Sequence, residues 1–179
     1  SVLQMINEVG EHVRAGKNRR TALMGILNVT HPDLLEFLSV KLDQGQLNNF
    51  NISVAITNRF VEAVELDEDW FFTFNNKEYH SYEMARTGYD SEGNITGVDT
   101  ISVIGLDEED ALARADNFHK VAWTDTFEMI GQRDMKAREL WDMMWKNSVE
   151  SGDPGIYNID LANSYTNVSY FEKLESTNP

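Results

Sequence analysis

A chain of 179 residues, 41% hydrophobic and 25% charged, is long enough to bury one sizeable core and has the composition of an ordinary globular domain. Its 15 Lys and Arg against 30 Asp and Glu leave a formal charge of −15, which repels phosphate backbones and argues against nucleic-acid binding outside one basic stretch, Lys17-Asn18-Arg19-Arg20. The absence of cysteine excludes disulfides, thiolate metal sites and a cysteine nucleophile within these residues, and no run approaches the ~20 apolar residues that span a membrane.

The first residues, Ser1-Val2-Leu3-Gln4-Met5, lack the basic stretch and long apolar run of a signal peptide. They also lack an initiator Met, so sequence is expected upstream, and the cytoplasm is the expected compartment. Asn28, Asn51, Asn94 and Asn167 open Asn-x-Ser/Thr sequons, read as chance without a secretion signal. Val2, Ile6, Val9 and Val13 recur at helical spacing and predict an amphipathic helix over residues 2–15, stopped by Gly16. The basic loop 16–20 follows, and then a short apolar run, residues 21–29, that predicts a buried strand.

Thr30-His31-Pro32-Asp33 predicts the next helix start, with Thr30 as cap, Pro32 in the first turn and Asp33 completing a capping-box-like pair. Leu34, Leu35, Leu38 and Leu42 form its buried stripe. A loop through Gly45 and Asn48-Asn49 leads to a second strand over residues 50–56, and Thr57 caps a short helix carrying Phe60, Val61 and Val64. This alternation favours an α/β arrangement with parallel strands.

Residues 69–105 break the rhythm. Segments 70–74 and 101–104 read as strands separated by a polar, glycine-dotted loop over residues 75–100, so the region around residues 66–133 is expected to be a β-rich or irregular insertion. Glu108, Glu109 and Asp110 open another helix, their charges favourable at its positive end. Ala137, Leu140, Trp141, Met144, Trp145 and Ser148 mark a further helix whose tryptophans are expected in the core. Gly152-Asp153-Pro154-Gly155 stops it, and residues 156–161 read as a third buried strand. No repeat or low-complexity tract appears, so residues 1–179 read as one domain or part of one.

Chemistry is sparse in the residues themselves. Gly10 to Lys17 superficially resembles a phosphate-binding loop, but five residues separate Gly10 from Gly16 where four are needed, Asn18 replaces Ser/Thr, and the order is helix then strand. Lys17, Asn18, Arg19 and Arg20 therefore read either as a solvated charge cluster, the more economical choice, or as an anion or nucleotide contact. His12, His31, His80 and His119 form no paired metal-ligand spacing.

Several ordered segments resemble the central part of the ribonucleotide reductase large subunit. They are the run from Gly16-Lys17-Asn18-Arg19-Arg20 through His31-Pro32-Asp33 to Phe37; Asn49-Phe50-Asn51-Ile52-Ser53-Val54 with the helix after it; Ala137-Arg138-Glu139-Leu140-Trp141; and the run from Glu150 through Gly152-Asp153-Pro154-Gly155 to Asp160. The closing Ser176-Thr177-Asn178-Pro179 is similar to the start of the family's Asn-Pro-Cys-Gly-Glu finger loop. The likeness covers roughly residues 1–65 and 134–179; residues 66–133 match nothing recognised.

The resemblance implies an α/β fold forming part of a ten-stranded barrel, and reduction of ribonucleotides to deoxyribonucleotides by a cysteine thiyl radical. It implies that Asn178 is catalytic through the substrate ribose hydroxyls, that Thr177 and Pro179 lie against substrate, and that Lys17, Asn18, Arg19 and Arg20 form an allosteric specificity loop, reversing the economical reading above. The Gly-Lys-x-Arg-Arg loop with an Asn-Pro finger loop is more like the adenosylcobalamin-dependent class than the class served by a di-iron radical from a second subunit. Implied partners are a ribonucleotide substrate, a deoxynucleotide effector, a thioredoxin- or glutaredoxin-type reductant, the remaining parts of the subunit and a second copy in a homodimer, with neither nucleic acid nor membrane. No metal site is expected. The radical cysteine is expected beyond Pro179, whether the interruption is an intein, a split gene or a partial chain, so these residues alone are expected to be inactive. The alternatives are a non-catalytic nucleotide-binding regulatory remnant of the same fold and an acidic domain with no ligand.

Overall fold

The structure, a computed structural model, describes residues 2–12, 23–40, 49–118, 124–168 and 170–177. In chain order the elements are α1 (Val2–His12), β1 (Leu23–Asn28), α2 (Leu34–Ser39), β2 (Phe50–Ile56), α3 (Asn58–Leu66), β3 (Asp69–Trp70), β4 (Phe72–Phe74), β5 (Lys77–Tyr89), β6 (Ile95–Gly105), α4 (Glu108–Phe118), β7 (Thr126–Gln132), β8 (Met135–Lys136), α5 (Ala137–Ser151), β9 (Gly155–Asn158) and α6 (Ile159–Tyr165). They divide into two compact units: residues 1–29, 37–67 and 137–179, and residues 30–36 and 68–136. No helix among the described residues is long and apolar enough to cross a membrane.

The first unit is built on a parallel sheet in the order β1-β2-β9. β2 lies in the middle because its sequence suits burial on both faces: Phe50, Ile52, Val54, Ala55 and Ile56 are buried and only Asn51 is exposed. Thr57 leaves β2 in an extended conformation and its Oγ1 accepts from the Phe60 amide at 3.1 Å, satisfying one of the free amides of α3. Phe60, Ala63 and Val64 of α3 and Ala137, Leu140 and Met144 of α5 are buried, and the two helices pack together. Across that packing Arg138 Nη2 donates to the Val64 carbonyl at 2.6 Å. α5 stops at Gly152, whose positive φ of 82° lets its amide reach the Ser148 carbonyl at 2.9 Å. The described sheet is three-stranded and does not close into a barrel.

Three expectations for these segments need correction. Segment 156–161 is not one buried strand: β9 ends at Asn158 with exposed or half-exposed residues, and α6 begins at Ile159 because the Asn158 side chain caps it. Trp145 is 60% exposed, since the buried stripe of α5 runs through Ala137, Leu140, Met144 and Asn147 and leaves Trp145 to one side. Thr30 does not cap α2, which starts only at Leu34; His31 shapes the preceding turn by accepting the Asp33 amide on Nδ1 at 3.1 Å. Leu34, Leu35 and Leu38 are buried as expected, whereas Leu42, Gly16 and the end of the predicted first helix lie outside the described residues.

The second unit is an antiparallel sheet with one helix. β5 and β6 form a long hairpin, and β4 and β7 pair with β5. The expected loop over residues 75–100 is therefore mostly strand. Its polar composition misled because the distal half of the hairpin is solvated, with Ile95–Thr100 exposed, while its turn is closed by Asp90, whose Oδ1 accepts from the Glu92 and Asn94 amides at 2.9 Å each. Nearer the core, Tyr82, Met84 and Val103 pack with Ala111 and Ala115 of α4, flanked by Ile101, Phe127 and Met129. α4 starts as its acids predict: Asp107 Oδ1 accepts from the Asp110 amide at 2.8 Å and Asp110 Oδ2 from the Leu106 amide at 2.9 Å. β3 and β8 form a short ribbon tied by Lys136 Nζ to Asp69 at 2.6 Å.

Candidate functional site

Ligands of α/β sheets meet the carboxyl ends of the parallel strands, where loops replace ladder hydrogen bonds. In the first unit the register brings three such ends level, with Asn28 opposite Ala55 and Ile56 opposite Asn158. β1 and β9 end on Asn28 and Asn158, and β2 is followed by Thr57 and Asn58. Asn158 caps α6 by accepting from the Leu161 amide on Oδ1 at 2.9 Å, and its Nδ2 donates to Asn58 Oδ1 at 3.1 Å. Asp160 Oδ2 accepts the Asn58 amide at 2.8 Å. One carboxylate thus serves the first turn of α6 and the first amide of α3, a favourable place for negative charge.

α6 also carries a clamp on the chain beyond it. Asn163 Oδ1 accepts from the Leu174 amide at 2.7 Å, and Nδ2 donates to the Leu174 carbonyl at 3.0 Å and the Ile159 carbonyl at 2.9 Å. Leu174 is half-buried while the rest of residues 170–177 is exposed. The clamp therefore holds the segment at Leu174, just before Ser176 and Thr177, and the Phe171 and Glu172 amides bond back to the Val168 carbonyl at 2.9 and 3.0 Å.

Of the residues singled out from sequence, Thr177 is described and exposed. Lys17, Asn18, Arg19, Arg20, Asn178 and Pro179 lie outside the described residues. Asn58, Asn158, Asp160 and Asn163 were not anticipated. The signal available for Asn158 was an Asn with an acid two positions later, a helix-start pattern hidden inside an apolar run that reads equally as strand. This cluster of amides and one carboxylate can donate to and accept from hydroxyl-rich ligands. No group of three or more metal-ligating side chains occurs among the described residues.

In the second unit, burial lowers the His31 pKa below the usual imidazole value despite the opposing charge of Asp33. Burial pushes the Glu36 carboxyl up to about 7, against the opposing charge of Arg114.

The family model described as ribonucleotide reductase, barrel domain, matches residues 1–179. A vitamin B12-dependent ribonucleoside-diphosphate reductase of Thermoplasma acidophilum is 27% identical over all of this chain and 17% of its own length. Another of that description from Mycobacterium tuberculosis is 26% identical over all of this chain and 19% of its own length. A ribonucleoside-diphosphate reductase large subunit of Caenorhabditis elegans is 21% identical over 99% of this chain and 19% of its own length. The chain spans less than a fifth of the length of these relatives.

Proposed function

Because the chain belongs to the ribonucleotide reductase barrel-domain family, we propose that it is part of a reductase catalytic subunit that converts ribonucleoside diphosphates to deoxyribonucleotides by thiyl-radical chemistry. The observation that carries this reading is the match along the whole chain, set on three parallel strands whose carboxyl ends gather Asn58, Asn158 and Asp160. In this reading Asn178 engages the ribose hydroxyls, Thr177 and Pro179 line the substrate, and Lys17, Asn18, Arg19 and Arg20 form the loop that senses a deoxynucleotide effector. The radical cysteine and the thiols that become a disulfide as the hydroxyl leaves as water come from the remainder of the subunit. The chain alone is inactive, since no residue in it can carry a thiyl radical.

The B12-dependent relatives favour adenosylcobalamin over a di-iron radical as the radical source. In this reading the cofactor is held by the remainder of the subunit. A thioredoxin-type reductant and a second copy complete the proposed assembly.

The test is reduction of a ribonucleoside diphosphate by the complete protein with adenosylcobalamin and a dithiol. Deoxynucleotide formation that depends on both supports the reading. A complete protein with no cysteine following Pro179, and no turnover, sinks it.

A further inference from the structure

We propose that the outer edge of β6 is a docking edge for a separate protein, which adds one extended segment, uncharged in its middle and basic at both ends, to the sheet. The inference is independent of the reductase reading. Among the described strands β6 pairs only with β5, so its other edge presents backbone amides and carbonyls in a row to an incoming chain. Its length of 11 residues extends over roughly 35 Å. Most of those residues are Ile, Val or Thr, types that favour an extended backbone. Edge strands are ordinarily guarded by charge. β6 carries one charged residue, Asp99, and Arg86 on β5 holds its carboxylate through Nε at 2.9 Å and Nη2 at 2.7 Å. The guard is thus neutralised within its own sheet.

Two features identify the occupant. The first is composition. β2, which is covered on both faces, is almost wholly apolar and buried. Residues Ile95–Thr100 of β6 are instead exposed throughout and include Thr96, Gly97, Asp99 and Thr100. Side chains of that kind suit a surface that is wet part of the time, and so a partner that comes and goes. Ile95 and Val98, both exposed, give that partner apolar contact on opposite faces of the strand.

The second feature is charge at the ends. Asp90 and Glu92 stand in the turn before β6, and Asp107, Glu108 and Glu109 follow just after it. A second copy of this chain would set acids against acids in either direction. Antiparallel pairing brings the turn of one copy to the α4 start of the other, and parallel pairing brings like ends together. The net charge of −15 adds to that repulsion. A segment with Lys or Arg at both ends gains at both.

The probe is a labelled synthetic peptide as long as β6, with lysines at both ends and alternating threonine and valine between, titrated into the complete protein by fluorescence anisotropy. We expect a Kd on the order of 10 µM at low salt, weakening at least about fivefold at ~0.3 M salt. Two further peptides are N-methylated along one strand edge or the other. Strand addition uses a single edge, so one of them should bind like the parent and the other at least about tenfold more weakly. Glu92→Lys combined with Glu108→Lys should weaken the parent peptide at least about tenfold and admit a glutamate-ended one. Peptide-level hydrogen exchange should slow over residues 95–104 on binding. Binding that survives both methylations is charge attraction alone and overturns strand addition, a result that needs no variant to fold. Binding unmoved by the double variant, or protection gained elsewhere, overturns β6 as the place. Absence of binding to the complete protein overturns the proposal outright, including the case in which the remainder of the subunit already covers this edge.

Discussion

Arg114 Nη1 donates to Asp33 Oδ1 at 2.7 Å, joining α4 to a turn 81 positions earlier in the chain. The same guanidinium donates through Nε to Asp110 at 3.1 Å and lies 5.5 Å from the Tyr79 ring centroid. The arginine side chain is 18% exposed and that of Asp33 51%, so this is neither a free surface pair nor a buried one. Arg114→Met should cost about 1–2 kcal/mol, above the range of exposed pairs and below that of buried ones. Asp33→Asn, which leaves Asp110 and Tyr79 in place, should cost less than Arg114→Met. Urea unfolding with an unchanged m-value measures both, and equal losses in the two variants would refute the shared role of Arg114.

Glu36 gives a pH dependence of unusual sign. Its folded pKa of about 7 stands above the ordinary carboxyl value of 4.5, chiefly through burial. The folded state therefore binds more protons than the unfolded chain between about pH 4.5 and 7, and this group's contribution to stability falls as pH rises through that window and is constant above it. The shift corresponds to roughly 3 kcal/mol. Glu36→Gln should stabilise the protein at pH 8 by an amount of that order and leave it nearly unchanged at pH 4. Because the Arg114 charge lowers the Glu36 pKa, Arg114→Met should extend the dependence to higher pH. A Gln variant with the parental profile from pH 4 to 8 would exclude Glu36 as its source.

The fold was legible wherever local chemistry and tertiary context agreed. The bounds of β2, the Thr57 cap and the acidic start of α4 could be read directly because an apolar run, a capping hydroxyl and a charge cluster each have one common structural outcome. The β5–β6 hairpin was not legible, since its partners lie across a solvated sheet and its outward residues are those of a loop. Asn158 was ambiguous because Ile156, Ile159 and Leu161 suit a strand as well as a helix, and only the carboxamide bond to the Leu161 amide decides. The clamp between Asn163 and Leu174 was hidden for another reason. Hydrogen bonds from one carboxamide to a distant backbone leave no periodic trace in sequence.

Gly105 marks a tight approach that any side chain would break. A Cβ built there would lie 2.6 Å from the Ala111 nitrogen and 2.7 Å from its Cβ. Backbone atoms of α4 cannot yield as a flexible side chain can, so Gly105→Ala should destabilise by about 1–3 kcal/mol. Gly97, on the same strand, has nothing within 4 Å of a Cβ, and Gly97→Ala should be neutral or slightly stabilising through the unfolded chain. Thermal melts of the pair separate contact from backbone propensity: similar shifts in both would show that α4 does not press on Gly105.

The first unit leaves unusually large apolar side chains in water. Tyr165, Tyr170 and Phe171 are 81%, 89% and 83% exposed, and Trp145 and Val149, one helical turn apart on α5, are 60% and 71% exposed. Single exposed apolar residues are normal, but several large ones in one small unit mark surface that prefers to be covered. β1 and β9 each pair on one side only within the described sheet, leaving strand edges able to recruit another chain. Covering one such side chain gains about 1.5–3 kcal/mol. A few mutually covered pairs therefore approach the ~8 kcal/mol of micromolar association, before the cost of losing free motion reduces it. The 179-residue chain should accordingly self-associate at tens of micromolar, about the range this estimate implies, and Tyr170→Ser with Phe171→Ser should shift it toward monomer. Light scattering across a dilution series is decisive: a monodisperse monomer at high concentration would mean that these side chains and edges are tolerated in water.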